Sequence, residues 1–155
     1  ATFANMFAGA RAFNGDLSGW SLGSATSLAG MFSGAEIFNG DIGLWNVGAV
    51  TDFGRMFADA ISFNQDIFLW DVTAGTRFDS MFEGARSFDQ DISPWIMENT
   101  QTARNMFGMA FDFSQNLCSW AFWIPEDAML QNMFEGSGCV DTAEPLIMGG
   151  RSESF

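Results

Sequence analysis

Residues 50–72 read VTDFGRMFADAISFNQDIFLWDV, and this pattern recurs along the chain with a period of 25 residues. A Met-Phe pair marks each copy, at Met6-Phe7, Met31-Phe32, Met56-Phe57, Met81-Phe82, Met106-Phe107 and, after a longer step of 27, Met133-Phe134. A tryptophan keeps the 25-residue step, at Trp20, Trp45, Trp70, Trp95 and Trp120. A period of this length is typical of architectures in which each unit stacks on its neighbours. The chain is therefore predicted to be one supersecondary unit copied about five times.

Two rhythms within the repeat predict its local structure. Apolar residues at 50, 53, 56, 57, 60 and 63 have the three-to-four spacing of a short α- or 3₁₀-helix. The line Ile67-x-x-Trp70-x-Val72 has the L-x-x-L-x-L form of a leucine-rich-repeat strand. We therefore predict an α/β repeat solenoid of the leucine-rich-repeat kind, with short parallel strands on one face and helical or 3₁₀ turns on the other. Residues 1–139 would form about five repeats and a terminal half-repeat, and residues 140–155 a C-terminal tail or cap.

The composition excludes many functions. The chain has 19 Asp and Glu against 6 Arg, with no Lys, His or Tyr, and its net charge is −13. Most general acids, bases and covalent nucleophiles are therefore missing, and we expect no enzymatic activity. Nucleic acids and anionic membrane surfaces bind basic patches, so neither is an expected partner. No apolar stretch approaches the 18 residues needed to insert into a membrane.

The repeat resembles that of a known family. The pattern M-F-x-x-A-x-x-F-N-x-D-[LI]-x-x-W is similar to the repeat of leucine-rich-repeat surface proteins of the BspA type, which include mycoplasma lipoproteins and protist and algal proteins. The resemblance implies an extracellular or cell-surface protein with a non-enzymatic role and no shared catalytic residues. The later copies depart from the pattern at Asp89, Pro94, Ser114 and Asn116.

A column of aspartates has two interpretations. It comprises Asp16, Asp41, Asp66 and Asp91, which follow Asn14, Asn39, Asn64 and Asp89 by two residues. Stacked carboxylates are hard oxygen ligands and could bind calcium, for which Asp89 and Asp91 would be the best pair. Alternatively, Asp and Asn side chains bind backbone N–H groups in turns, and each repeat needs such a turn. The turn is the favoured interpretation, so no cofactor is expected, and calcium is the alternative.

The tryptophan column also has two interpretations. Exposed, it would form a strip on which sugar rings could stack. Its place in the apolar line instead predicts that it lies in the core, whereas Trp123, which is off the column, is the ring expected at the surface. Scattered Ser and Thr hydroxyls could carry glycans if the protein is secreted.

Cys118 and Cys139 lie in the last repeat and in the segment after it. A disulfide between them would tie down the terminal repeat, and eukaryotic members of the resembling family have similar paired cysteines there. Such a bond would contribute about 2–4 kcal/mol and indicate an oxidising compartment. Two reduced thiols are the alternative.

The N-terminal end enters directly on a repeat, without the polar cap that usually closes a solenoid, and the C-terminal segment reads as a short strand or plug. The alternative is a fragment whose cap was removed, or a tail that folds back on its own last repeat. The N-terminal repeat begins at full strength with Phe3, Met6 and Phe7, and the C-terminal segment contains Leu146, Ile147 and Met148. We expect these residues to mediate head-to-tail self-association into an open-ended homopolymer. The predicted function is a subunit of a surface layer or filament. The alternative is a monomeric adhesion module that binds a protein or glycan.

Overall fold

The computed structural model describes residues 1–138, in which successive repeats lie one on top of another. We number the units 1 to 6, as residues 1–25, 26–50, 51–75, 76–100, 101–127 and 128–138. One residue per unit pairs with its equivalent in the next through an isolated parallel bridge, in the order Thr2, Ser27, Asp52, Arg77, Thr102 and Met129. The repeat period predicted from the sequence is therefore the stacking period of the structure.

The predicted α/β solenoid, with parallel strands on one face and helices on the other, is wrong. Within residues 1–138 the structure has no continuous strand and no α-helix, and the only helical element is the 3₁₀-helix Cys118–Phe122. The predicted strand line consists instead of consecutive turns: the N–H of Trp70 donates to the carbonyl of Ile67 at 3.1 Å, and the N–H of Gly75 donates to Val72 at 2.8 Å. A backbone curled into such turns cannot extend into a ladder.

The predicted helical segment is interrupted by left-handed residues. Arg55 and Asp59 have φ values of 56° and 57°, and the other units have positive φ at the same two places. The equivalents are Asn5, Gly30, Ser80, Asn105 and Asn132 at the first place, and Gly9, Gly34, Gly84, Met109 and Gly136 at the second. A right-handed helix cannot continue through a left-handed residue every fourth position. The apolar spacing suits a helix, but the backbone forms a series of turns.

Along each unit, successive backbone N–H groups donate alternately to the next unit and to a carbonyl within the same unit. In unit 3 the N–H groups of residues 53, 55, 57 and 59 donate to the carbonyls of residues 77, 79, 81 and 83 in unit 4, at 2.7–2.9 Å. The N–H groups of Met56, Ala58 and Ala60 donate to the carbonyl three residues earlier. The same four bonds between units recur at all five junctions of residues 1–138. Each junction is thus held by nearly the same set of contacts.

Aromatic rings fill the core in continuous ladders. Phe57 stacks on Phe32 and Phe82 with ring centroids 5.7 and 5.6 Å apart, and within its own unit on Phe63 at 3.8 Å. The equivalent rings of units 2 to 5 are fully buried. Because each ring contacts the units above and below, the core is continuous along the stack.

Candidate functional site

Each aspartate of the predicted calcium column forms a local turn. Asp66 accepts a hydrogen bond from the N–H of Phe68 at 2.9 Å, and Asp91 one from Ser93 at 2.9 Å. Asp16 and Asp41 make the same bond to the N–H groups of Ser18 and Gly43. Unit 5 replaces the aspartate by Asn116, whose side-chain oxygen accepts from Cys118 at 2.9 Å. The turn therefore needs a side-chain oxygen and not a negative charge.

Asp16 is fully exposed, and its carboxylate is stabilised by its neighbour. Hydrogen bonds from the Ser18 side chain and then from the Ser18 backbone lower the pKa of Asp16 below its ordinary value of 3.8. The same two hydrogen bonds hold the carboxylate in the turn. The lowered pKa thus has a structural cause and indicates no catalytic role.

A ladder of side-chain hydrogen bonds between units was not predicted. It is formed by the residues that lie two places before each aspartate of the column. The side-chain oxygen Oδ1 of Asn64 accepts the N–H of Asp89, its equivalent in the next unit, at 3.0 Å. Asn14 and Asn39 accept from Asn39 and Asn64 in the same way, at 2.8 and 2.9 Å. A signal was present in the sequence, since Asn or Asp recurs at this position every 25 residues. This column is part of the bonding that holds the units together.

Asp89, one of the favoured calcium ligands, is already engaged. Its Oδ1 atom lies within hydrogen-bond distance of the backbone N–H and hydroxyl of Ser114 and of Nε2 of Gln115, at 2.9–3.2 Å. Within residues 1–138 no group of three or more acidic or cysteine side chains converges in the way that a metal site requires. Calcium binding by this column stays a prediction.

Asp91 and Cys118 come together in the structure. They line a shallow, open depression of about 390 Å³ whose other lining residues are Ser93, Gln115, Asn116 and Ser119. Cys118 is exposed at the start of the 3₁₀-helix. Cys139 lies outside the described residues, so the predicted disulfide stays a prediction.

Four of the five tryptophans of the column lie in the core, as predicted, and Trp20 in unit 1 is half-buried. Trp45, Trp70, Trp95 and Trp120 are at most 4% exposed, whereas Trp123 is 41% exposed. Each of the four indole N–H groups donates to a carbonyl 28 residues earlier, in the preceding unit; for Trp70 the acceptor is Ile42 at 3.1 Å. These bonds were not predicted. They make these four tryptophans a second link between units. Because the four rings are buried, they do not form an exposed strip on which sugars could stack.

The predicted self-assembly residues of unit 1 lie on the outward side of the stack. Phe3 and Phe7 are half-buried and Met6 is 51% exposed, whereas their equivalents in unit 2, Leu28, Phe32 and Met31, are fully buried. Leu146, Ile147 and Met148 lie outside the described residues.

No helix in residues 1–138 is long and apolar enough to cross a membrane.

Comparison with known proteins yields one match. The model of the family described as "Mycoplasma protein of unknown function, DUF285" matches residues 1–74 and 42–143, which together cover most of the chain. No curated protein and no solved structure matches the chain. The matched ranges contain the repeats whose stacking is described above, and the match agrees with the resemblance to BspA-type surface proteins. The chain belongs to this mycoplasma family of repeat proteins, DUF285.

Proposed function

We propose that this protein is a non-enzymatic structural component of the cell surface, whose copies associate head to tail as a continuing solenoid. The extracellular location rests on the resemblance to BspA-type surface proteins. The acidic composition, without Lys or His, supports a structural role and not a catalytic one. The observation that carries the proposal is the repetition of one set of contacts at every junction.

The outward side of unit 1 presents the acceptor half of that junction. The carbonyls of Ser27, Ala29, Met31 and Ser33 in unit 2 accept the four N–H groups of unit 1. Their equivalents in unit 1 are the carbonyls of Thr2, Ala4, Met6 and Ala8, none of which accepts a backbone hydrogen bond within residues 1–138. A unit docking there would meet acceptors in the arrangement that every internal junction uses.

Unit 6 carries the matching donor half. The N–H groups of Leu130, Asn132, Phe134 and Gly136 stand where those of units 1 to 5 donate to the following unit, and they donate no backbone bond within residues 1–138. Unit 6 of one copy could therefore pair with unit 1 of the next. The segment with Leu146, Ile147 and Met148 is the alternative source of this contact.

Apolar contact would add to the pairing. Phe7 already stacks on Phe32 on its inner side, with centroids 5.5 Å apart, and its outer side has no stacking partner within residues 1–138. Phe134 stacks on Phe107 at 5.3 Å in the same way at the other end. Bringing these two outer faces together would extend the phenylalanine ladder and remove apolar surface from water, at about 25 cal/mol per Å².

Light scattering and negative-stain electron microscopy of the purified protein test this proposal. We expect elongated particles with a mass several times the 17.0 kDa of one chain. The double variant Phe3→Ser, Met6→Ser should shorten them, since it makes the docking face polar, whereas Met109→Ser, Phe111→Ser changes exposed residues elsewhere and should not. Monomers of the unmodified chain would refute the assembly and favour the recognition module.

A further inference from the structure

One edge of the stack carries only negative charge. It is formed by residues 14–25, 39–50, 64–75, 89–100 and 114–127, which we call the acidic edge. Its charged residues are Asp16, Asp41, Asp66, Asp71, Asp89, Asp91, Glu98, Glu126 and Asp127, with no Arg or Lys among them. The five arginines of residues 1–138 all belong to the other segments: Arg11, Arg55, Arg77, Arg86 and Arg104.

The acidic edge also exposes large apolar side chains. Leu44 and Leu69 are 86% and 75% exposed, far more than the core residues beside them. Four other large apolar residues of this edge are at least one third exposed: Phe68, Ile96, Phe122 and Trp123. Exposed apolar residues that cluster within a charged rim indicate an interaction surface.

The apolar residues follow the stacking axis. Leu44, Leu69 and Pro94 each directly precede a tryptophan of the buried column. The rings of Trp70 and Trp95 are parallel, with centroids 6.3 Å apart. The residues that precede them in sequence are therefore expected to have a similar spacing along the stack. The surface is therefore an apolar line that runs across units 2, 3 and 4. In sequence, Asp66 and Asp91 precede members of this line by three residues and Asp71 follows Leu69 by two.

Charge decides which partner fits this line. A second copy of the chain is a poor occupant, because the segments outside the acidic edge carry seven carboxylates against five arginines in residues 1–138. An anionic membrane would be repelled for the same reason. The partner should carry cationic and apolar side chains together.

We propose that the acidic edge binds a basic amphipathic α-helix of another protein, lying parallel to the stack. The pitch of an α-helix is 5.4 Å, close to the spacing of the line. One apolar side chain per helical turn would contact Leu44, Leu69 and Pro94 in succession. Lys or Arg side chains on its flanks would lie near the carboxylates of Asp66, Asp71 and Asp91. This surface does not overlap the outward side of unit 1, so the inference does not depend on head-to-tail assembly.

Titration calorimetry with a synthetic peptide tests the proposal. The probe is a helical peptide with one Leu per turn and Lys along both flanks of that line. We expect saturable binding that weakens as salt is added, because the charges involved are exposed. A peptide of the same composition in scrambled order should bind more weakly, since it cannot present one apolar face. A peptide with Glu in place of Lys should not bind.

Variants of the chain locate the contact. Leu44→Ser and Leu69→Ser should each weaken binding about tenfold, the loss expected when a leucine no longer leaves water on binding. Both side chains are exposed, so circular dichroism should show an unchanged fold. The matched control is Ile37→Ser, Met109→Ser, two exposed residues outside the acidic edge, for which binding should not change. The proposal would be overturned if the first peptide showed no measurable binding, or if its affinity were the same for the unmodified chain and for both leucine variants.

Discussion

At the residue scale, the tryptophans show what a sequence pattern can and cannot predict. Their burial followed from their place in an apolar line, and the structure confirms it. Their indole N–H bonds to the preceding unit did not follow, because the acceptors are backbone carbonyls 28 residues away, and every residue has a carbonyl. A hydrogen bond to a backbone carbonyl therefore cannot be predicted from residue types.

Replacing Trp70 by Phe should lower the free energy of unfolding by more than the loss of contact area alone would account for. The carbonyl of Ile42 keeps the N–H of Trp45 but loses its indole donor, and a hydrogen bond of this kind contributes about 0.5–1.5 kcal/mol. Urea denaturation measures the effect. Trp20→Phe is the matched control, since Trp20 donates no such bond within residues 1–138 and is only half-buried. Equal losses of stability in the two variants would contradict the assigned role of the indole bond.

At the element scale, the sequence predicted a regular helix and strand where the structure has turns. The three-to-four apolar spacing is shared by helices and by this series of turns, so spacing alone could not separate them. The distinguishing signal was the recurrence of Gly or Asn at two places four residues apart, as at Gly30 and Gly34. These residue types tolerate the left-handed conformation, which stops a helix. In unit 3 these two places are occupied by Arg55 and Asp59, so the signal is absent from that repeat.

Asn64 tests the ladder between units. Asn64→Ala leaves the N–H of Asp89 without its acceptor and should lower the free energy of unfolding by about 1–2 kcal/mol. Asn64→Asp keeps an oxygen at the same place, as Asp89 does naturally towards Ser114, and should lose less. Thermal denaturation of both variants makes the comparison. If the Asn64→Ala variant were as stable as the unmodified chain, the ladder would not contribute to stability as proposed.

At the scale of the whole molecule, the period alone predicted that equivalent residues stack. The same stacking brings like charges into columns, because whatever occupies one position recurs about one unit away. The column of Asp41, Asp66 and Asp91 is one example, and the net charge of the whole chain is −13. Repulsion among these carboxylates opposes the compact state.

Salt should therefore stabilise the protein. We expect the Tm to rise with sodium chloride, since salt screens exposed charges. The triple variant Asp41→Asn, Asp66→Asn, Asp91→Asn keeps the turn oxygens, as Asn116 does, and removes three charges. At low salt it should be more stable by about 1 kcal/mol, or roughly 2–4 °C at this chain length. A Tm that falls as salt is added to the unmodified chain would show that favourable ion pairs, and not repulsion, dominate its electrostatics.

The sameness of the junctions also bears on how such a chain can evolve. A recombination event that adds or removes one whole repeat leaves every remaining junction with its four backbone bonds and its stacked rings. An insertion of one or two residues shifts all later columns out of register unless it falls where a unit can absorb it. The step of 27 between Met106 and Met133 is such a case, and the 3₁₀-helix Cys118–Phe122 lies within it. Selection can therefore vary the length of this protein in whole repeats while the contacts between them stay the same.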